Sequence, residues 1–121
     1  MNGYKTIQVK PIHPRFGAEI AGVDLARPTT AQVVEIQKAW AAHSVLLFRN
    51  QSLGPADLVQ FSKHFGELDP PPVNEDGKTF VQDFPEIYVV SNVLGEDGKP
   101  IGSLGAGEAT WHTDMSYLKE P

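Results

Sequence analysis

From Thr6 to Ile12 apolar and polar residues alternate, with Ile7, Val9 and Ile12 set against Gln8 and Lys10, the period of a half-buried strand. Pro11 and Pro14 close that pattern. A second short strand is predicted over Ala18 to Val23. Pro28-Thr29-Thr30 then opens a helix, because a threonine can cap the first turn and Glu35 follows within reach of it. Val33, Val34, Ile36, Trp40 and Ala41 form one broad apolar face, which predicts an amphipathic helix to about His43 packed on another element.

Val45-Leu46-Leu47-Phe48 is a continuous apolar run too short for a helix, so it reads as a buried strand ended by Arg49-Asn50-Gln51. Gly54-Pro55 starts a second helix whose face is Leu58, Phe61 and Phe65, with Gly66 expected to stop it as a left-handed residue. The aromatics Trp40, Phe48, Phe61 and Phe65 fall at core spacings. An irregular stretch follows from Asp69 to Pro85, then a strand over Ile87 to Val90 and a turn at Gly95-Glu96-Asp97-Gly98. Gly102 to Gly107 reads as a flexible approach to the segment from Ala109 to Tyr117.

Composition narrows the class. A chain of 121 residues makes one domain at most, and 40% apolar with 21% charged residues excludes both a disordered chain and a membrane protein. The 11 glycines and 10 prolines favour short strands and turns over a helical bundle. Ten basic residues against 15 acidic ones leave a net charge of −5, which argues against nucleic acid as a partner. There is no cysteine, hence no disulfide, no thiolate nucleophile and no Zn–Cys site; a metal would have to be held by His, Asp or Glu. The start of the chain lacks the apolar core of a leader and no run approaches the roughly 20 residues of a membrane span, so no membrane partner and a cytoplasmic location are expected.

The densest chemistry lies in Thr110-Trp111-His112-Thr113-Asp114-Met115. If this segment is extended, residues two apart project to one side, so the His112 imidazole and the Asp114 carboxylate point together as two adjacent corners of a metal's coordination sphere. That pairing suits the two-His, one-carboxylate facial triad of Fe(II) oxygenases, which leaves open positions for cosubstrate and oxygen. By composition alone a His-x-Asp arises about 0.2 times in a chain of this size, so its weight comes from the Gly-rich approach and the flanking Trp111. Trp111 and Tyr117 flank the proposed ligands and are candidate pocket walls.

The remaining histidines read as structural. His43 and His64 sit at helix C-terminal ends, where an imidazolium meets the negative end of the dipole, and His13 lies in a loop. The glycines of 102–107 match neither the dinucleotide nor the P-loop pattern, and no Gly-x-Ser-x-Gly elbow occurs, which removes nucleotide binding and serine hydrolysis. No residue is singled out as a general acid, general base or nucleophile.

Four blocks in order carry a resemblance: Gly17-Ala18-Glu19-Ile20-Ala21-Gly22-Val23-Asp24-Leu25, His43 to Gln51, Phe65-Gly66-Glu67-Leu68, and Trp111-His112-Thr113-Asp114. Together they resemble the taurine dioxygenase (TauD/TfdA) family of Fe(II)- and 2-oxoglutarate-dependent oxygenases. The resemblance implies an α+β, mainly β fold: the N-terminal part of a double-stranded β-helix, or jelly roll, with two flanking helices. It implies His112 and Asp114 as two of three iron ligands, with Fe(II) as cofactor and 2-oxoglutarate as cosubstrate. The implied reaction oxidises a small organic substrate with O2 while 2-oxoglutarate is decarboxylated to succinate and CO2. Whether the protein forms a homo-oligomer is left open.

Departures from the family pattern matter too. Taurine-specific members carry His and Tyr after the Phe-Gly-Glu-Leu block where this chain has Pro71 and Asn74, and an Asn where it has Glu108; taurine is therefore disfavoured, and a carboxylate at Glu108 suggests a cationic or hydroxylated substrate. The substrate-pocket candidates are Asn74, Glu108, Trp111 and Tyr117. Family members are more than twice this length, so residues 1–121 are expected to be a single incomplete domain, with the third iron ligand and the Arg that pairs with 2-oxoglutarate beyond Pro121. The piece alone is expected to be inactive. Two other readings stay open: a non-catalytic binding module that keeps half of the fold, and a metal-dependent hydrolase using the same His and Asp with zinc.

Overall fold

The computed structural model describes residues 3–69, 79–104, 110–116 and 118–119. Three strands form the main sheet in the order β1-β2-β3: β1 (Gln8–Pro11), β2 (Ala18–Ala21) and β3 (Leu46–Phe48). β1 and β2 are antiparallel, with Val9 opposite Ile20 and Pro11 opposite Ala18. β2 and β3 are parallel, with Ala18 opposite Leu46 and Ile20 opposite Phe48. A parallel pair needs a crossover, and helix α1 (Thr30–His43) supplies it. Helix α2 (Pro55–Ser62) follows β3 and runs into a 3-10 turn at Lys63–Phe65. A second, two-stranded parallel sheet pairs β4 (Val90–Ser91) with β5 (Ser103–Leu104).

Alternation decides which sheet face is buried. Val9, Ala18 and Ile20 lie on the face covered by α1, where Ile36 and Ala39 meet them, and Ile7 and Leu25 complete the core. Gln8, Lys10 and Glu19 take the opposite face, where Arg49 Nε reaches Glu19 Oε2 at 3.3 Å. No polar side chain is buried among the described residues. Pro11 is tolerated because β1 is an edge strand, and the loop after it closes through Ile12 N–H donating to Gly17 O at 3.0 Å.

The first helix is capped at both ends. Thr29 Oγ1 accepts from Gln32 N at 3.2 Å while Gln32 Oε1 accepts from Thr29 N at 2.9 Å, a reciprocal capping box. Ser44, at φ 65°, turns the chain out of the helix, and its N–H donates to Trp40 O at 2.8 Å. Immediately beyond, Ala18 N donates to Val45 O at 3.0 Å, which starts the parallel ladder.

Glu35 does not serve the first helical turn; its carboxylate accepts from Lys5 N at 2.6 Å, Thr6 N and Thr6 Oγ1 at 2.8 Å, and Ile7 N at 3.2 Å, tying the N-terminal strand to mid-helix. The apolar face of α1 is narrower than expected: Val33, Ile36 and Ala39 are buried, whereas Val34, Trp40 and Ala41 are exposed, because only one side of the helix meets the sheet. Ile12 is exposed as well, since pairing ends at Pro11. β3 is half-buried rather than buried, and Phe48, Phe61 and Phe65 are half-buried with it. On α2 the buried residue is Val59, while Leu58 is exposed. Gly66 has φ 149° and ψ −174°, an extended positive-φ conformation favouring glycine rather than the left-handed helical one. The strand expected over Ile87 to Val90 is displaced to β4, and the Gly95–Gly98 turn is present, closed by Gly98 N donating to Gly95 O at 3.0 Å.

The Glu35 contacts define a pH dependence. The Lys5 backbone N–H is the largest of the donors that hold the Glu35 carboxyl down at about 2, from an ordinary 4.5. A carboxylate depressed on folding contributes fully above its unfolded value of about 4.5, and that contribution is lost as pH falls through about 2. The amide resonances of Lys5, Thr6 and Ile7 should therefore titrate with a midpoint near 2 and not in Glu35→Gln; a midpoint near 4.5 would show that the carboxylate is not held. Ile36, with 1% of its surface exposed, sits at the helix–sheet contact. Ile36→Ala should cost about 2–5 kcal/mol in urea unfolding, the range for emptying a packed aliphatic site.

Candidate metal centre

The chain reaches the His-x-Asp segment through β5, which pairs with β4 beside Gly102; a Cβ built on Gly102 would lie 2.8 Å from Ser91 N and Val89 O, so this close backbone approach requires glycine. From Thr110 to Thr113 the chain is irregular, and residues 114–116 form a turn in which Met115 has φ 56°. The extended strand anticipated for this segment is thus absent. The turn achieves the same juxtaposition by another route: His112 Nε2 lies 2.8 Å from Asp114 Oδ1.

Thr110 completes the arrangement. Its carbonyl oxygen lies 2.7 Å from His112 Nδ1, so Nδ1–H donates to it and Nε2 faces the carboxylate. Both neighbours are acceptors, and the Thr110 carbonyl first, then Asp114, raise the His112 pKa above its ordinary value. This partner is a backbone atom, to which the residue types of the segment do not point. Both side chains remain accessible, with 62% of His112 and 87% of Asp114 exposed.

The donor set fits a divalent metal. At 2.8 Å Nε2–H donates directly to Oδ1, and a divalent metal held by an imidazole nitrogen and a carboxylate oxygen would take the place of that proton. Thr110 supplies the outer hydrogen bond that metal-binding imidazoles use to fix tautomer and ring orientation. Only two donors gather: among the described residues no group of three His, Cys, Asp or Glu could hold a metal ion. His13, His43 and His64 contribute nothing here. His13 Nδ1 accepts from Arg15 N at 3.2 Å, and the His64 ring stands against Phe61.

Of the four candidate pocket residues, Trp111 is fully exposed. Asn74, Glu108 and Tyr117 lie outside the described residues. No described helix is long and apolar enough to cross a membrane.

The family described as "Taurine catabolism dioxygenase TauD, TfdA family" matches residues 8–121, and the chain belongs to it. Pentalenolactone F synthase of Streptomyces avermitilis is 35% identical over 104 residues, covering 84% of this chain and 33% of that protein. An alpha-ketoglutarate-dependent sulfonate dioxygenase of Saccharomyces cerevisiae is 29% identical over 119 residues, covering 95% of this chain and 28% of its own length. The crystal structure of a taurine dioxygenase from Burkholderia xenovorans superposes with a TM-score of 0.59 at 38% identity, over 69% of this chain and 28% of that one. The chain thus spans about a third of the length of the curated relatives it matches.

The two tryptophans report separately on this architecture. In Trp40→Phe the remaining emission, from Trp111, should be water-like and fully quenched by iodide. A blue-shifted, protected signal would place Trp111 in a pocket instead.

Proposed function

We propose that residues 1–121 are the N-terminal part of a single Fe(II)- and 2-oxoglutarate-dependent dioxygenase domain, a jelly roll with two flanking helices. The observation that carries this reading is the His112–Asp114 pair, held at 2.8 Å by a turn inside a chain that the oxygenase family matches over residues 8–121. The bound iron would supply the redox chemistry that couples decarboxylation of 2-oxoglutarate, to succinate and CO2, with oxidation of a small organic substrate by O2.

In this reading His112 offers Nε2 to the metal while the Thr110 carbonyl retains the proton on Nδ1, which fixes the tautomer. Asp114 contributes one carboxylate oxygen beside it and offsets part of the metal's charge. The family resemblance implies a third ligand and an Arg for the 2-oxoglutarate carboxylate that this chain does not match, and catalysis of this kind needs a drier pocket than the exposed His112 and Asp114 have here. Asn74, Glu108, Trp111 and Tyr117 are assigned to substrate. The relatives are named for dissimilar substrates, so the family leaves the substrate undetermined; a carboxylate at Glu108 favours a cationic or hydroxylated molecule over a sulfonate.

Anaerobic addition of Fe(II) and 2-oxoglutarate to the protein extended through its downstream reading frame should give the visible charge-transfer band of the chelate, lost in His112→Ala and in Asp114→Ala. A zinc hydrolase would give no such band. The 121-residue chain alone should form no substrate-dependent succinate. Turnover by that chain would overturn the incomplete-site reading.

A further inference from the structure

Residues 1–18 contain Lys5, Lys10 and Arg15 but no Asp or Glu, and the carboxylate that reaches them comes from the middle of α1. The two oxygens of Glu35 divide the donors between them. Oε1 accepts from Lys5 N at 2.6 Å, while Oε2 accepts from Thr6 N and Thr6 Oγ1 at 2.8 Å and from Ile7 N at 3.2 Å. No Lys, Arg or His lies within ion-pair distance of Glu35 among the described residues. Its charge is therefore met by dipoles alone: three successive N–H groups and a hydroxyl converge on it, as backbone concavities do on a bound anion.

The cradle is held in shape by groups other than Glu35. On its C-terminal side Ile7 and Val9 are buried in the core and β1 is paired with β2. On its N-terminal side Lys38 Nζ lies 3.5 Å from Gly3 O and 5.3 Å from the centroid of the Tyr4 ring, which itself packs against the core. Between them Gln32 Nε2 lies 3.5 Å from Thr6 O. Gln32 and Lys38 stand three residues to either side of Glu35, so one stripe of α1 grips the segment at three points. Cutting Glu35 back to Ala leaves these anchors untouched and removes a methylene and a carboxylate, the heavy atoms of acetate.

We propose that Lys5–Ile7 is a carboxylate-binding site in its own right and that Glu35 is its tethered ligand: a free monocarboxylate takes the same place once the Glu35 side chain is cut back. The donors are main-chain groups and one hydroxyl, which read the oxygens of the ligand and nothing of the chain that carries them. Two oxygens are engaged separately, so a planar carboxylate satisfies the cradle where a single spherical ion such as chloride cannot. Filling the site fixes the approach to β1 and with it the burial of Ile7.

The test is chemical rescue of Glu35→Ala in the full 121-residue chain. Hydrogen exchange of the Lys5, Thr6 and Ile7 amides should speed at least tenfold in that variant, the scale of a lost charge-assisted hydrogen bond. Sodium acetate, titrated against sodium chloride at constant ionic strength, should reverse the change saturably. Glu35→Gln, whose carboxamide still fills the cradle, should show no response to acetate. Adding Thr6→Val to Glu35→Ala removes one donor and should weaken the acetate response about tenfold. If Glu35→Ala unfolds, the same titration is followed as recovery of helical far-UV dichroism. Neither exchange nor fold responding to acetate, an equal effect of chloride, an equal response in Glu35→Gln, or an undiminished one with Thr6→Val would each overturn the proposal.

Discussion

The parallel pairing of β2 with β3 is the constraint on which the described structure hangs. It can form only if the chain leaves β2, crosses the sheet and returns, and α1 is that crossing. Everything that makes α1 a helix of the right length therefore serves the sheet: the Thr29–Gln32 capping box at its start, and Ser44 with φ 65° at its end, two residues before β3 begins. Ile36 and Ala39 pack where the crossing helix passes over Ala18 and Ile20. The second helix is placed by the same pair, since Phe61 and Phe65 pack against the core beside Phe48.

Much of this order was legible in the sequence, because helix and strand periodicities and cap residues act over a few positions. α1 begins at the position its threonines mark, and β1, β2 and β3 fall within their apolar patterns. What was not legible acts at long range. Glu35 resembles a first-turn acid, yet its partners lie 28–30 residues earlier. The broad apolar face of α1 suggested one buried stripe, but Trp40 faces a groove that lies open among the described residues. Composition identifies an apolar residue without saying what covers it.

The metal pair shows the same division. A His-x-Asp spacing places two donors together in a strand, and here a turn with Met115 at φ 56° places them together as well. The residue types suggest the pairing, while the turn that brings the two side chains together is not inferable from alternation. The Thr110 carbonyl is a backbone atom with no sequence signature at all.

The Glu35 carboxylate also has a consequence for the order of folding. Its acceptors exist in the right place only when mid-helix residues are wound, and its donors come from a segment some 30 residues away, so closing that loop costs entropy before any contact is gained. The β1–β2 hairpin is the shorter closure, with Pro11 opposite Ala18, so the Lys5–Ile7 clasp on Glu35 fastens a strand pair that local contacts already favour and does so only once α1 is wound. A chain emerging from the ribosome keeps Ile7 and Val9 uncovered until α1 has left the exit tunnel.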